Sequence, residues 1–203
     1  MKLSFSTKGW KNIQWQDFVL NAVEAGFSGI EIHDINAPEF SEKTGPANIE
    51  MAAATVRNLY ENNLTVPCLD ALCDIGNSAL LSENIAETEA CINYAKALKI
   101  PYIRIHAPCA TEDNNVDDAV FEYLSNAVPR AESAGITLIM ETAGIYSDTK
   151  KLCAVLNRFA CDNLAVLWDV HHTFRDANEA PDQTVTNLGA YIKHVHIKDS
   201  EIT

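Results

Sequence analysis

Long apolar runs are missing from this sequence. The longest, such as Leu164–Trp168, are about five residues, against the ~18 that a membrane-spanning helix requires. The segment from Met1 to Trp10 holds no apolar stretch of signal-peptide length, so a cytoplasmic protein without a membrane partner is expected. Basic residues are scarce: 15 Lys and Arg stand against 28 Asp and Glu, a net charge of −13. A chain of that sign repels a phosphate backbone, and no nucleic-acid partner is expected. The six cysteines (Cys68, Cys73, Cys91, Cys109, Cys153, Cys161) form neither a CxxC pair nor a dense secreted framework. They read as reduced, mostly buried thiols. No Walker or dinucleotide fingerprint occurs. Gly26-Phe27-Ser28-Gly29 reads as a helix-to-strand turn. Ser147-Asp148-Thr149-Lys150 matches SxxK but sits at a helix start, where Ser and Asp are ordinary caps.

What the 203 residues do contain is a repeated unit. Short β-rich runs recur at Lys2–Ser6, Gly29–Ile35, Thr65–Ala71, Tyr102–His106, Ile136–Glu141, Leu164–Asp169 and Tyr191–Ile197. Amphipathic stretches lie between them. Phe18, Val19, Ala22, Val23 and Ala25 supply an apolar face to the first helix, and Ile49, Ala52, Ala53, Val56, Leu59 and Tyr60 to the second. Further helices are predicted at Ser82–Leu98, Val116–Ala134, Thr149–Phe159 and Gln183–Gly189. Gly26 and Gly135 stand where a left-handed residue ends a helix, and Ser82 and Asp148 where an N-cap is wanted. Strands Ile136–Met140 and Leu164–Trp168 are largely apolar rather than alternating, the pattern of parallel strands covered on both faces.

Two architectures join parallel strands through repeated βα units, an open doubly wound sheet and a closed barrel. An open sheet gathers ligands at one switch point, whereas a barrel gathers them from the C-terminal ends of many strands. His33, Asp70, His106, Glu141, Asp169 and His196 all fall at or near strand ends, on six consecutive units, which favours the barrel. The expected fold is therefore an α/β barrel of the TIM (β/α)8 type. Such a barrel normally takes about 250 residues, and seven strands are counted. The expectation is one domain over residues 1–203, truncated after strand seven and lacking the last βα unit. Its two exposed strand edges would be covered by an omitted segment or by a second chain, as in a homo-oligomer.

Glu141 closes an otherwise apolar strand, where a carboxylate is costly unless paired or bound to a metal. Asp169 holds the same position one unit later. In the last strand His194, His196 and Lys198 share one face by the two-residue period, so His196 can point into the same mouth. Two carboxylates and an imidazole suit a divalent ion such as Mn2+, Mg2+, Co2+ or Zn2+. Three protein ligands leave positions open for substrate oxygens. His171 and His172 are adjacent and cannot point the same way.

These residues resemble the xylose-isomerase-like TIM barrels, a superfamily of sugar isomerases and epimerases, inosose and dehydroshikimate dehydratases, and barrel-type abasic-site endonucleases. The resemblance runs through Met1–Thr7, Ala25–Ile32, Arg104–Ala107, Met140-Glu141-Thr142, Trp168–His172 and Val195–Ser200, essentially the whole chain. It implies that Glu141, Asp169 and His196 are metal ligands and that His172 contacts substrate. The family's fourth ligand, a Glu on strand eight, has no counterpart in the sequence, and Ser147 stands where epimerases carry a further catalytic Glu.

The function expected from residues and resemblance together is metal-dependent isomerisation or epimerisation of a small sugar-like carbonyl compound. Glu141 and His172 are the expected catalytic residues, and His106, His172 and Lys198 the expected substrate contacts. A dehydratase of a cyclic polyol or dehydroshikimate uses the same metal and base and is the near alternative. A truncated barrel that binds without turnover is another. An abasic-site endonuclease is disfavoured because strand three offers Asp70 where that enzyme type has a histidine, and because of the acidic charge.

Overall fold

Seven parallel strands alternate with helices through residues 1–10, 12–41, 45–107 and 116–199, the parts of the chain described by a computed structural model. In chain order the elements are β1 (Ser4–Ser6), α1 (Trp15–Glu24), β2 (Gly29–Glu31), α2 (Ala52–Glu61), β3 (Cys68–Asp74) and α3 (Leu81–Leu98). There follow β4 (Tyr102–His106), α4 (Val116–Ala134), β5 (Thr137–Glu141), α5 (Thr149–Phe159), β6 (Leu164–Asp169), α6 (Val170–Arg175), α7 (Pro181–Leu188) and β7 (Ile192–His196). Strands β1 and β2 pair with each other, and β3 to β7 form a five-stranded sheet in chain order. Single bridges between Gly29 and Thr65 and between Ile32 and Leu69 connect the two. The Ile30 amide donates to the Thr65 carbonyl and the Asp70 amide to the Ile32 carbonyl, at 3.0 and 2.8 Å. The wall thus runs β1 to β7 without a crossover, as a barrel requires. Gly29 is needed where β2 meets β3: a Cβ there would lie 2.8 Å from the Thr65 carbonyl oxygen.

Two apolar layers follow from the period of the strands. Outward side chains such as Leu69, Leu138, Met140 and Val166 pack under the helices in the main core. Inward ones form a small second cluster of Cys68, Ile139, Ala165 and Leu167, with Tyr102 against it. That is the filled interior expected of a small barrel.

Most boundaries agree with the sequence pattern to within a residue or two, and Tyr102–His106, Val116–Ala134, Thr149–Phe159 and Leu164–Asp169 agree at both ends. Asp148 caps α5 as expected, accepting from the Lys150 and Lys151 amides. Gly26 and Gly135 take φ of +72° and +70°. Three expectations are corrected. Strand two ends at Glu31 rather than Ile35, because beyond one bridge at Ile32 the chain turns off at Asp34, whose carboxylate accepts from the Asn36 amide. Strand three runs 68–74 rather than 65–71, carried on past an irregularity between Asp70 and Asp74. Ser82 is not a cap. Helix α3 begins at Leu81 after a 3-10 turn, Ser78–Leu80, which Asn77 caps instead.

The helix faces are also narrower than the pattern suggested. In α1 Phe18, Val19 and Ala22 are buried but Val23 and Ala25 are exposed; in α2 Thr55 is buried while Ala53 and Tyr60 face solvent. Among the described cysteines, Cys68, Cys73 and Cys91 are buried and Cys153 and Cys161 half-buried, all as free thiols. Burial raises the first three thiols above the ordinary range, Cys73 to about 11. Cys109 lies outside the described residues, as does Ser200. Among the described helices none is long and apolar enough to cross a membrane.

Candidate active site

The inward positions that fill the barrel interior with Cys68, Tyr102, Ile139 and Leu167 become charged one step further along each strand. Two residues on from these stand Asp70, Arg104, Glu141 and Asp169, because alternate residues of a strand share a face. All four are almost fully buried, as is Glu31 at the end of β2. Five ionisable groups at one end of a sheet are tolerated only if they neutralise one another.

Four of them, all but Asp169, do so in one connected chain. Arg104 donates from Nη1 to Asp70 Oδ2 at 2.6 Å, and from Nε and Nη2 to Glu141 Oε2 at 3.1 and 2.6 Å. Asp70 Oδ2 also meets His33 Nδ1 at 2.6 Å. The free oxygen of Glu141, Oε1, faces His196 Nδ1 at 3.5 Å. The other nitrogen of that ring, Nε2, lies 3.0 Å from both oxygens of Glu31, and His194 Nε2 lies 2.9 Å from Oε2.

The electrostatic consequences are opposite for acids and imidazole. Burial alone would raise Glu31, but hydrogen bonds from His194 and His196, with their charge, hold it at about 2. Burial likewise opposes ionisation of Glu141, yet His196 and the Arg104 guanidinium keep it far below the carboxylate range. Burial disfavours the charged form of His196 too, and the hydrogen bonds to Glu141 and Glu31 overcome it, raising the imidazole to about 9. His106 goes the other way, lowered by burial and by Arg104.

Asp169 anchors a second group. Its Oδ1 accepts from the His172 amide at 3.1 Å, which caps the short helix α6. Its Oδ2 is 2.9 Å from Lys198 Nζ and 3.7 Å from His172 Nε2. His172 Nε2 in turn meets Lys198 at 2.8 Å, and its Nδ1 meets Asp176 Oδ2 at 2.7 Å.

Glu141, Asp169, His172, His196 and Lys198 all line one cavity of about 510 Å3, together with Glu31, Arg104, His194 and Lys8. His106 lines an adjoining lobe of about 500 Å3 that shares Lys8, Arg104, Glu141 and His172 with the first. The expected site residues are therefore brought to one mouth in two lobes. Ligand atoms of Glu141, Asp169 and His172 lie within 4.8 Å of one another, and those of Glu31, His194 and His196 make a second such group. His196 sits between the two, against Glu141 rather than Asp169. His33 lines neither lobe. His171 does not either, and of the adjacent pair His172 is the one at the site. A further cleft of about 420 Å3 lies beside the mouth between the α5 start and the α6–α7 turn, and Ser147 lines it.

Among the strand residues of the site, Glu31 and Arg104 are the two that the sequence reading passed over. The signal was present: each is a charge inside an apolar strand, Ile30-Glu31-Ile32 and Ile103-Arg104-Ile105, the same oddity that singled out Glu141.

A family model described as xylose isomerase-like TIM barrel matches residues 19–203. Several solved structures share the fold. A probable 3-DHS dehydratase, AsbF, from Bacillus anthracis is 20% identical with a TM-score of 0.82, over 98% of this chain and 73% of that one. The IOLI protein, solved with a zinc atom, is 19% identical with a TM-score of 0.81, over 100% and 74%. The 3-keto-D-glucoside 4-epimerase YcjR from E. coli is 15% identical with a TM-score of 0.78, over 98% and 79%. No curated protein matches the sequence.

Two predictions follow from the charge chain. Replacing Arg104 by Met leaves Asp70 and Glu141 buried without their cation, so Arg104→Met should lose roughly 3–5 kcal/mol in urea unfolding; a loss below about 1 kcal/mol would mean that the guanidinium is not what neutralises them. In metal-free protein, the Glu31 contribution is present above its ordinary 4.5 and is lost as pH falls toward about 2. The His196 contribution is complete below its ordinary 6.5 and is lost as pH rises through about 9. The urea midpoint should therefore be higher near about pH 5.5 than near about pH 9.5; a midpoint that rises over that interval contradicts the pairing.

Proposed function

The chain belongs to the xylose isomerase-like TIM barrel family, and from that membership we propose that it is a metal-dependent isomerase or epimerase of a small sugar or related hydroxy-carbonyl compound. The observation that carries this reading is the convergence of Glu141, Asp169, His172 and His196 on one cavity at the C-terminal ends of the strands. The donor set suits a divalent ion. Glu141 Oε1 is the oxygen that Arg104 leaves free, and it faces an imidazole nitrogen at 3.5 Å. Asp169 offers Oδ2, where Lys198 now stands in as the cation at 2.9 Å. Glu141, Asp169 and His196 would hold the ion, with His172 alongside; when bound it supplies Lewis acidity toward adjacent hydroxyl and carbonyl oxygens.

The protein groups divide the remaining work. Arg104 keeps Glu141 ionised, which suits a ligand and makes it a weak base. Proton transfer at the carbon beside the carbonyl therefore falls to His172, whose ring is oriented by Asp176 through Nδ1 and presents Nε2 to the cavity. Lys198, once free of Asp169, is placed to balance negative charge developing on the substrate oxygen. In the adjoining lobe burial and Arg104 disfavour the charged form of His106. Its ring lines that lobe and is placed to contact a more distant hydroxyl of the substrate.

A dehydratase is the second reading. Lys8 and Lys198 both line the mouth, a cationic pair that suits a substrate carrying a carboxylate, and removal of water uses the same proton abstraction.

The test has two arms. Glu141→Gln and Asp169→Asn should each strip divalent metal from the purified protein, and unchanged metal content in both refutes the ligand assignment. With Mn2+ in deuterated water, a panel of ketoses and aldoses should take up deuterium beside the carbonyl. His172→Gln should slow that exchange by about 10²–10⁴-fold, the range for a general acid–base group. Loss of water from a carboxylated polyol without any such exchange product would favour the dehydratase.

A further inference from the structure

Glu31 lies where no strand-end ligand was expected, and its surroundings account for it. The side chain stands between Ile30 and Ile32 in an apolar strand and is almost fully buried. An ionised carboxylate accepts hydrogen bonds and donates none. Both of its oxygens are used: Oε1 by His196 Nε2 and Oε2 by His196 Nε2 and His194 Nε2, all at 2.9–3.0 Å. The partner nitrogens must therefore carry hydrogens. Nδ1 is left as the nitrogen through which His196 can offer a lone pair, and Nδ1 is the atom that faces Glu141.

We propose that Glu31 is a positioning residue: it reaches across the barrel from β2 to fix the ring of His196, so that Nδ1 is presented to an ion shared with Glu141 and Asp169. The inference rests on the metal reading above and deepens it. A carboxylate behind a ligating imidazole sets the ring's orientation and tautomer and raises its basicity as a ligand. His194 also holds Oε2 of Glu31, one of the two oxygens that His196 contacts, which keeps the carboxylate from turning away from His196. The same three residues also form a compact donor group, so the rival role for Glu31 is that of a ligand to an ion of its own.

Zinc binding to the full chain separates these roles. Wild type should bind one ion per chain, and a long-range proton–nitrogen NMR spectrum of the zinc-loaded protein should show His196 bound through Nδ1 with Nε2 protonated. Glu31→Gln, which removes the charge and one acceptor, should weaken zinc affinity by about 10–100-fold and leave the stoichiometry at one. Coordination through Nε2 in wild type overturns the proposal without recourse to any variant. So does an affinity unchanged in a folded Glu31→Gln protein. Two ions in wild type with one lost in Glu31→Gln makes Glu31 a ligand and overturns it as well. If wild type binds no zinc, the metal reading fails first and the proposal falls with it.

Discussion

Alternating charge is the constraint on which this end of the molecule depends. From His33 through Asp70, Arg104, Glu141, His196 and Glu31 to His194, each group contacts one of opposite character, and the series crosses strands β2, β3, β4, β5 and β7. Any one of these carboxylates alone in an apolar barrel would cost several kcal/mol. Held together, they cancel, and the barrel can carry them in its interior. The arrangement also leaves specific atoms free. Arg104 takes one oxygen of Glu141 and leaves the other, and Glu31 takes one nitrogen of His196 and leaves the other. Both free atoms face the same space.

The fold makes this possible through two regularities. Parallel strands in chain order put every C-terminal end on one side, so residues far apart in sequence meet at one mouth. The two-residue period then sorts each strand into outward residues, which pack under helices, and inward ones, which build a small apolar floor and, one step on, the charged layer. Asp169 joins the two levels. Its backbone ends β6, its Oδ1 caps α6, and its Oδ2 faces the cavity. That short helix sets His172 beside the carboxylate and gives its ring a second partner in Asp176.

The periodic part of this was readable in the sequence. Amphipathic repeats and apolar strands located seven strands and most helices, and charges at strand ends marked Glu141, Asp169 and His196. What escaped had local causes. Helix α6 depends on a single side-chain cap in a stretch too short to show a period. The early end of β2 depends on an Asp34 turn. Leu81 opens α3 because Asn77 organises the preceding turn, a competition between caps that spacing alone does not decide. Glu31 and Arg104 were hidden differently: each reads as a flanking charge until its partner is known, and those partners lie 165 and 37 residues away. Sequence spacing also suggested that Glu141, Asp169 and His196 converge directly. In the structure His196 leans on Glu141 while His172 and Lys198 stand by Asp169.

The most direct measurement is an anomalous difference map from crystals of the wild-type chain soaked in Mn2+. The account predicts one strong peak between Glu141, Asp169 and His196, at about 2.0–2.4 Å from their donor atoms, with Lys198 displaced from Asp169. A peak centred on Glu31 and His194, or no peak at the mouth of the barrel, would contradict it.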